Sequence, residues 1–241
     1  MSGIMLHYMS TAISSSALPL GLVLNLDAGK TASYPGTGTT WYDLSKKHHN
    51  ATVVGPTFID DSFYFNGSTD YVDAGAVNEI GSTSTALTVE VWFKPDVTTS
   101  KSIIQNGSDY FRNTYYLWQH SPTELVFAVY GGTSYDAVTF TDGNDFQVGH
   151  WYHLVGVWES GKKVKLYRNA DSSANVSWSL GKEQSIIQDS VINGDTTTII
   201  GKRVTDYFFN GNIPVVRLYN RALTAIQVQQ NFDADRVRFG L

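Results

Sequence analysis

The run Gly149 to Asn169, GHWYHLVGVWESGKKVKLYRN, sets two alternating segments on either side of the polar connection Glu159-Ser160-Gly161-Lys162. That is the pattern of an antiparallel hairpin with a short loop. Because side chains alternate along a strand, Trp151, His153, Val155 and Val157 share one face, and Tyr152, Leu154 and Trp158 share the other. Both faces are largely apolar. The strand is therefore expected inside a sheet, with a second sheet or a packed loop over its other face. In the return segment Val164 and Leu166 point one way and Lys163, Lys165 and Tyr167 the other, which predicts a second face more open to water.

Similar segments recur along the chain. Leu20 to Asp27, Ser62 to Asp73, Ala86 to Lys94, Lys101 to Gln105, Tyr115 to Gln119, Glu124 to Tyr130 and Ala137 to Thr141 precede the hairpin. Asn175 to Leu180, Thr197 to Gly201, Phe208 to Ile213 and Val215 to Tyr219 follow it. Strands at roughly 8- to 15-residue spacing, with Asn-Gly, Asp-Gly and Gly-Gly between them, predict a sandwich or jelly roll. One helix is expected. Thr224 is placed to cap it, Gln227 to close a capping box, and Leu223 and Val228 to form a hydrophobic staple, with Val228 and Phe232 facing the sandwich. Residues 1–17 have no period and predict an N-terminal arm, leaving residues 18–241 as a single domain.

Several blocks carry a resemblance. The hairpin pattern G-x-W-Y-H-L-V-G-V followed by V-x-L-Y-x-N is similar to the central hairpin of the concanavalin A-like lectin and glucanase superfamily, in its laminin-G-like form. Phe65-Asn66-Gly67-Ser68-Thr69-Asp70-Tyr71-Val72, Leu87 to Phe93, Phe209 to Ile213 and Val216 to Thr224 agree with it. The resemblance implies an all-β, two-sheet antiparallel jelly-roll sandwich with a short C-terminal helix. It does not fix a function, since that fold hosts lectins, hydrolases, adhesins and structural modules. Two narrower matches lie at opposite ends of the chain. Leu24 to Gly29 with Trp41-Tyr42-Asp43-Leu44-Ser45, and Asn231 to Leu241, resemble the opening and ending of laminin-G-like domains on tailed-phage particles. Where such relatives carry a Gly/Asn-rich turn, this chain has Lys46-Lys47-His48-His49, either a contact for an acidic surface or polysaccharide or a solvated turn.

Composition narrows the partners. A net charge of -5 without a long basic run argues against nucleic acid, which demands clustered Lys and Arg. With no cysteine there is no disulfide framework, thiolate metal site or thiol nucleophile. No stretch approaches the roughly 18 uninterrupted apolar residues of a membrane span. The first twenty residues lack Lys and Arg, so they do not read as a secretory signal.

Catalytic signals are weak. Laminarinase-like members of the superfamily use E-x-D-x-x-E on a strand. None of Glu79, Glu90, Glu124, Glu159 and Glu183, the five glutamates of this chain, has Asp two residues on or Glu five residues on. A pair of distant Asp residues remains the hydrolytic alternative. No G-x-S-x-G elbow supports a serine triad. His150 and His153 fall on opposite strand faces, so zinc is not expected. Calcium-binding relatives carry G-x-I-D-E/D-V before the last strand, whereas this chain reads Gly211-Asn212-Ile213-Pro214-Val215-Val216. No cofactor is expected, and a structural calcium built from loop aspartates is the alternative left open.

Tyr110, Phe111, Tyr115, Tyr116 and Trp118 cluster beside Arg112, Asn113 and Gln119. Stacking aromatics next to Asn and Arg are what sugar recognition uses, an apolar face with directional hydrogen bonds. Tyr110, Arg112, Asn113, Tyr115, Tyr116 and Trp118 are the candidate ligand-binding residues, against the alternative of aromatics packed under a loop or into a subunit contact. The resulting expectation is a non-enzymatic phage virion protein, a capsid decoration, fibre or tail-associated component. It would be a homo-oligomer that attaches to other virion proteins through its arm and binds a surface or host glycans. The alternatives are a secreted carbohydrate-binding lectin module and a glycoside hydrolase.

Overall fold

The computed structural model describes residues 20–107, 113–131, 134–141, 147–162, 164–170, 179–184, 197–203 and 206–241. The expected arm, residues 1–17, lies outside them. Strands β1 (Leu22–Asp27), β2 (Thr40–Trp41), β3 (Ala51–Val54), β4 (Thr57–Ile59), β5 (Ser62–Asn66), β6 (Tyr71–Ala76), β7 (Ala86–Pro95) and β8 (Lys101–Gly107) come first. They are followed by β9 (Asn113–Ser121), β10 (Glu124–Gly131), β11 (Ser134–Thr141), β12 (Tyr152–Glu159), β13 (Val164–Ala170), β14 (Ser179–Gln184), β15 (Thr197–Ile200) and β16 (Asn210–Tyr219). Helix α1 (Ala225–Asp235) and a 3-10 turn at Arg236–Phe239 close the chain.

Two antiparallel sheets make the sandwich. The first runs β14-β13-β12-β7-β16-β5-β4, with β1 also paired to β16, and the second runs β11-β10-β9-β8-β15-β6-β3-β2. Between them lies one apolar core that takes Leu87, Val89, Val91 and Phe93 from β7, Leu154 and Trp158 from β12, and Leu117, Leu125, Phe127 and Ile104 from the second sheet. The sheets approach closely at Gly156, where an added Cβ would lie 2.4 Å from the Phe127 ring. Glycine is the residue that permits this contact.

The alternation in the central hairpin holds: Tyr152, Leu154 and Trp158 enter the core, and His153, Val155 and Val157 face outward. What covers that outer face is neither a second sheet nor a loop but α1. Thr224 accepts from the Gln227 backbone N–H while the Gln227 side chain accepts from the Thr224 N–H, so the capping box is closed. Leu223 and Val228 are buried with Val155, Val157 and Tyr219, and Phe232 stacks on Trp92. Tyr167 joins this cluster and is buried, whereas Lys165 on the same face stays partly exposed and Lys163 lies outside the described residues.

Two strand boundaries differ from the sequence pattern. Ser62 to Asp73 is two strands in different sheets, because Asn66 accepts from the Ser68 and Thr69 backbone N–H groups and Gly67 takes φ 78°, which turns the chain. The expected strands Phe208 to Ile213 and Val215 to Tyr219 are instead one, β16, which begins at Asn210 and has a register shift between Asn212 and Val215 that accommodates Pro214. Short β2, β3 and β4 were not legible in the pattern, and part of the Asn175 to Leu180 segment lies outside the described residues.

Candidate functional site

The residues singled out from sequence separate in space. Strand β9 sends Tyr115, Leu117 and Gln119 inward and Tyr116 and Trp118 outward. Tyr115 is 0% exposed and hydrogen-bonds Thr198 at 3.2 Å, so it is a core residue and presents no face to a ligand. Burial pushes its phenol well above the usual tyrosine range, only partly offset by Thr198. Tyr116 and Trp118 do come together on the outer face of the second sheet. The buried Arg203 guanidinium lies over both rings, 4.7 Å from Tyr116 and 4.4 Å from Trp118, and the Trp118 indole N–H donates to Ser100 Oγ at 2.9 Å. Arg203 thus occupies one face of each ring. Tyr110 and Arg112 lie outside the described residues, and of Asn113 only its place at the start of β9 is described.

The basic turn at Lys46-Lys47-His48-His49 is also partly engaged. Lys47 Nζ and His49 Nε2 hold the two oxygens of Glu79 at 3.3 and 2.7 Å. Burial would raise the Glu79 carboxyl, but the hydrogen bonds from His49 and Lys47 outweigh it and hold it below the usual range.

A cleft of about 450 Å³ opens instead at the far end of the first sheet, within the range of small-ligand sites. Strand register builds its floor. Thr57 of β4 pairs with Tyr64 of β5, Tyr64 with Asn212 of β16, and Asn212 with Lys94 of β7. Directly paired residues share a face, so these four side chains form one row across four strands. The β7–β12 register, Phe93 to Tyr152, carries the row on to Trp151, whose ring lies 4.9 Å from Lys94 Nζ. Ile59, Asp60 and Asp96 complete the lining.

The C-terminal segment shapes one wall. Phe239 packs 4.7 Å from Trp151 and 4.3 Å from Trp92. Arg238 donates to Asp61 O at 2.8 Å and pairs with Asp27 at 2.5 Å, tying the β4–β5 hairpin to the end of the chain. Tyr64 also donates to Asn210 Oδ1 at 3.4 Å. Its phenol is raised by burial first and then by the neighbouring Asp96 carboxylate, so Tyr64 stays neutral. The cleft combines one half-buried indole, a neutral phenol, a carboxamide, an ammonium and two carboxylates. That set suits a hydroxyl-rich ligand with an apolar ring face.

Beside this cleft, beneath α1, lies the buried Glu90. It is 0% exposed and accepts from His153 Nε2 at 3.0 Å, Arg217 Nη1 at 2.9 Å, Tyr219 Oη at 3.2 Å and Asn231 Nδ2 at 2.7 Å. Burial alone would raise its carboxyl. Arg217, then His153 and Asn231, overcome that and pull it down to about 2. An acid so ionised and so enclosed cannot protonate a leaving group.

The family's calcium position does not suit a cation here. Val215 stands where relatives carry a carboxylate, and it is buried against Trp92, Phe232 and Phe239. Pro214 has its carbonyl engaged by Ala28 N at 2.9 Å. Among the described residues no three His, Cys, Asp or Glu side chains converge to hold a metal. A chelator should accordingly leave the melting temperature unchanged within about 1 °C, whereas a shift of several degrees would reveal a bound cation.

Sequence periodicity missed the cleft because it places residues only along one strand. Trp151 was grouped with His153 and Val155, although it precedes β12 and remains half exposed. Only the order β12-β7-β16-β5-β4 brings Trp151 and Thr57 into one row.

The sequence profile described as the concanavalin A-like lectin/glucanases superfamily matches residues 66–229. No curated protein matches the sequence. Among solved structures, the botulinum neurotoxin serotype G binding domain superposes with TM-score 0.64 at 14% identity, covering 89% of this chain and 51% of that one. The serotype D ligand-binding domain in complex with N-acetylneuraminic acid gives 0.63 at 12%, covering 89% and 51%. Domain 4 of the GH43 extracellular arabinanase of Geobacillus stearothermophilus, in complex with arabinotriose, gives 0.55 at 18%, covering 87% and 97%. The chain spans about half the length of the toxin domains, and at these identities the likeness is one of fold.

Proposed function

Because the chain belongs to the concanavalin A-like lectin/glucanases superfamily, we propose that it is a non-catalytic saccharide-binding jelly roll carried on a tailed-phage virion. The observation that carries the binding role is the row Thr57-Tyr64-Asn212-Lys94-Trp151, which lines a cleft with an indole and alternating donors and acceptors. A sugar ring laid on Trp151 would turn its hydroxyls toward Asn212, Asp96 and Lys94. The neighbours solved with arabinotriose and with N-acetylneuraminic acid make saccharides the first ligands to try. A glycan array probed with the full chain should return a small set of bound saccharides, unaltered by a chelator. An array with no hits would overturn the binding role.

The missing E-x-D-x-x-E motif and the enclosure of Glu90 support the non-catalytic reading, and Asp60 and Asp96, the two carboxylates of the cleft, are the pair from which hydrolysis would have to arise. Incubation with laminarin, agarose or arabinan should release no reducing ends above the buffer control. Release that a single Asp substitution abolishes would make the chain a hydrolase.

The virion placement rests on the blocks at the two ends of the chain, with residues 1–17 as an attachment arm within a symmetric assembly. Mass spectrometry of purified particles should find the protein, and deletion of residues 2–17 should weaken its attachment while leaving the sandwich folded. The arabinanase domain favours a second reading, a binding module of a secreted enzyme, for which the protein would be absent from particles.

A further inference from the structure

Charge is unevenly placed around the Trp151 cleft. Asp60 and Asp96 bring two carboxylates to its lining, and among the described residues there the only cation is Lys94. The Lys94 ammonium lies 4.9 Å from the centre of the Trp151 ring, so its charge already has a partner in the face of the indole. Arg238, beside the same wall, is engaged elsewhere: its guanidinium pairs with Asp27 and donates to Asp61 O.

The two carboxylates are open to a ligand. Asp60 and Asp61 form the two-residue tip of the β4–β5 hairpin, between the paired Ile59 and Ser62, with φ 48° and 57°. Asp60 is exposed there, and Asp96, just past the end of β7, is half-buried. On the floor, the Tyr64 phenol is raised by burial first and then by the carboxylates of Asp96 and Asp70, the direction expected where the potential is negative.

We infer that the cleft selects neutral saccharides and rejects acidic ones, with Asp60 and Asp96 as the residues that set the choice. This charge preference presupposes the saccharide-binding reading above. Hydroxyls of a neutral sugar donate to the two carboxylates in charge-assisted bonds and accept from Lys94. A uronic or sialic acid brings a third negative charge into a space that holds two, and Lys94 cannot answer it without leaving the indole. The net charge of -5 on the whole chain supplies no compensating field at longer range.

The test is a glycan array of matched pairs probed with the full chain: sialylated glycans beside their desialylated forms, and oligogalacturonides beside their methyl esters. In each bound pair the neutral member should bind at least about tenfold more tightly. Raising salt from about 0.01 to about 1 M shortens the screening length from about 30 to about 3 Å, so the acidic member should gain affinity while the neutral one holds steady. Asp60→Asn combined with Asp96→Asn should narrow the gap at low salt, with affinity for the acidic member rising and affinity for the neutral one falling. Asparagine tolerates the left-handed backbone at Asp60, and a thermal melt checks the fold. Should the double variant unfold, the salt series on the wild type still decides. Acidic members bound as tightly as neutral ones would overturn the preference and leave the saccharide reading standing. A preference that salt leaves unchanged, or an equal fall for both members in the double variant, would overturn the role of the two aspartates. Binding of neither member would overturn the saccharide reading and the preference with it.

Discussion

Replacing Glu90 with glutamine should lower the unfolding free energy at neutral pH by about 3–5 kcal/mol, the usual effect of removing one member of a buried ion pair. The loss is large because Glu90 is the common acceptor for His153, Arg217, Tyr219 and Asn231, which come from β12, β16 and α1. Glutamine can accept fewer of these bonds and leaves the Arg217 charge facing only Asp235, 2.7 Å away. Chemical denaturation of the two proteins checks this, with an unchanged midpoint as the contrary result. The wild type should also show the effect through pH. The folded-state carboxyl is depressed from 4.5 to about 2, so its contribution is fully present above about pH 4.5 and is lost as pH falls toward 2. At about 1.4 kcal/mol per unit, that contribution is roughly 3 kcal/mol. Glu90→Gln should therefore show a flatter stability profile between those two pH values.

Replacing Trp151 with alanine should weaken saccharide binding about ten- to hundredfold. Covering a large apolar side chain is worth roughly 1.5–3 kcal/mol, and each 1.4 kcal/mol is a factor of ten in affinity. Trp151 is half exposed and precedes β12, so its loss should disturb stability much less than binding. Calorimetric titration against the strongest array ligand reads the affinity, and a thermal melt reads the fold. Asp96→Asn should also weaken binding, through loss of a charged acceptor in the cleft. Equal affinity in Trp151→Ala and wild type would remove the indole from the site.

The parts of this structure that local rules govern were legible in the chain. The Thr224–Gln227 capping box, the Leu223–Val228 staple and the opposite faces of β12 all follow from spacing within one element, and the structure has them in place. Ser62 to Asp73 reads as one strand because Phe63 and Phe65 on one side and Tyr71 and Val72 on the other flank only five polar residues, Asn66-Gly67-Ser68-Thr69-Asp70, where side-chain hydrogen bonds to the backbone turn the chain. The fate of the aromatic cluster turns on alternation and partners together. Tyr115 and Tyr116 are adjacent in sequence and therefore lie on opposite sides of β9, one in the core and the other beneath Arg203.

The cleft was invisible for a different reason. Its floor collects Thr57, Tyr64, Lys94, Trp151 and Asn212 from separate parts of the chain, and no local motif encodes the strand order that aligns them. Glu90 carried a partial signal, a carboxylate in the middle of the apolar strand Leu87 to Phe93. Such a residue must be paired when buried, but its partners could not be named before the helix was placed over β7.

The central claim is that the row ending at Trp151 holds a sugar. A crystal structure of the full chain grown with its tightest-binding array glycan tests it most directly. The account predicts a sugar ring against the Trp151 indole, with hydroxyls within hydrogen-bond distance of Asp96 and Asn212. A glycan seated elsewhere on the molecule, with the Trp151 cleft empty, would contradict it.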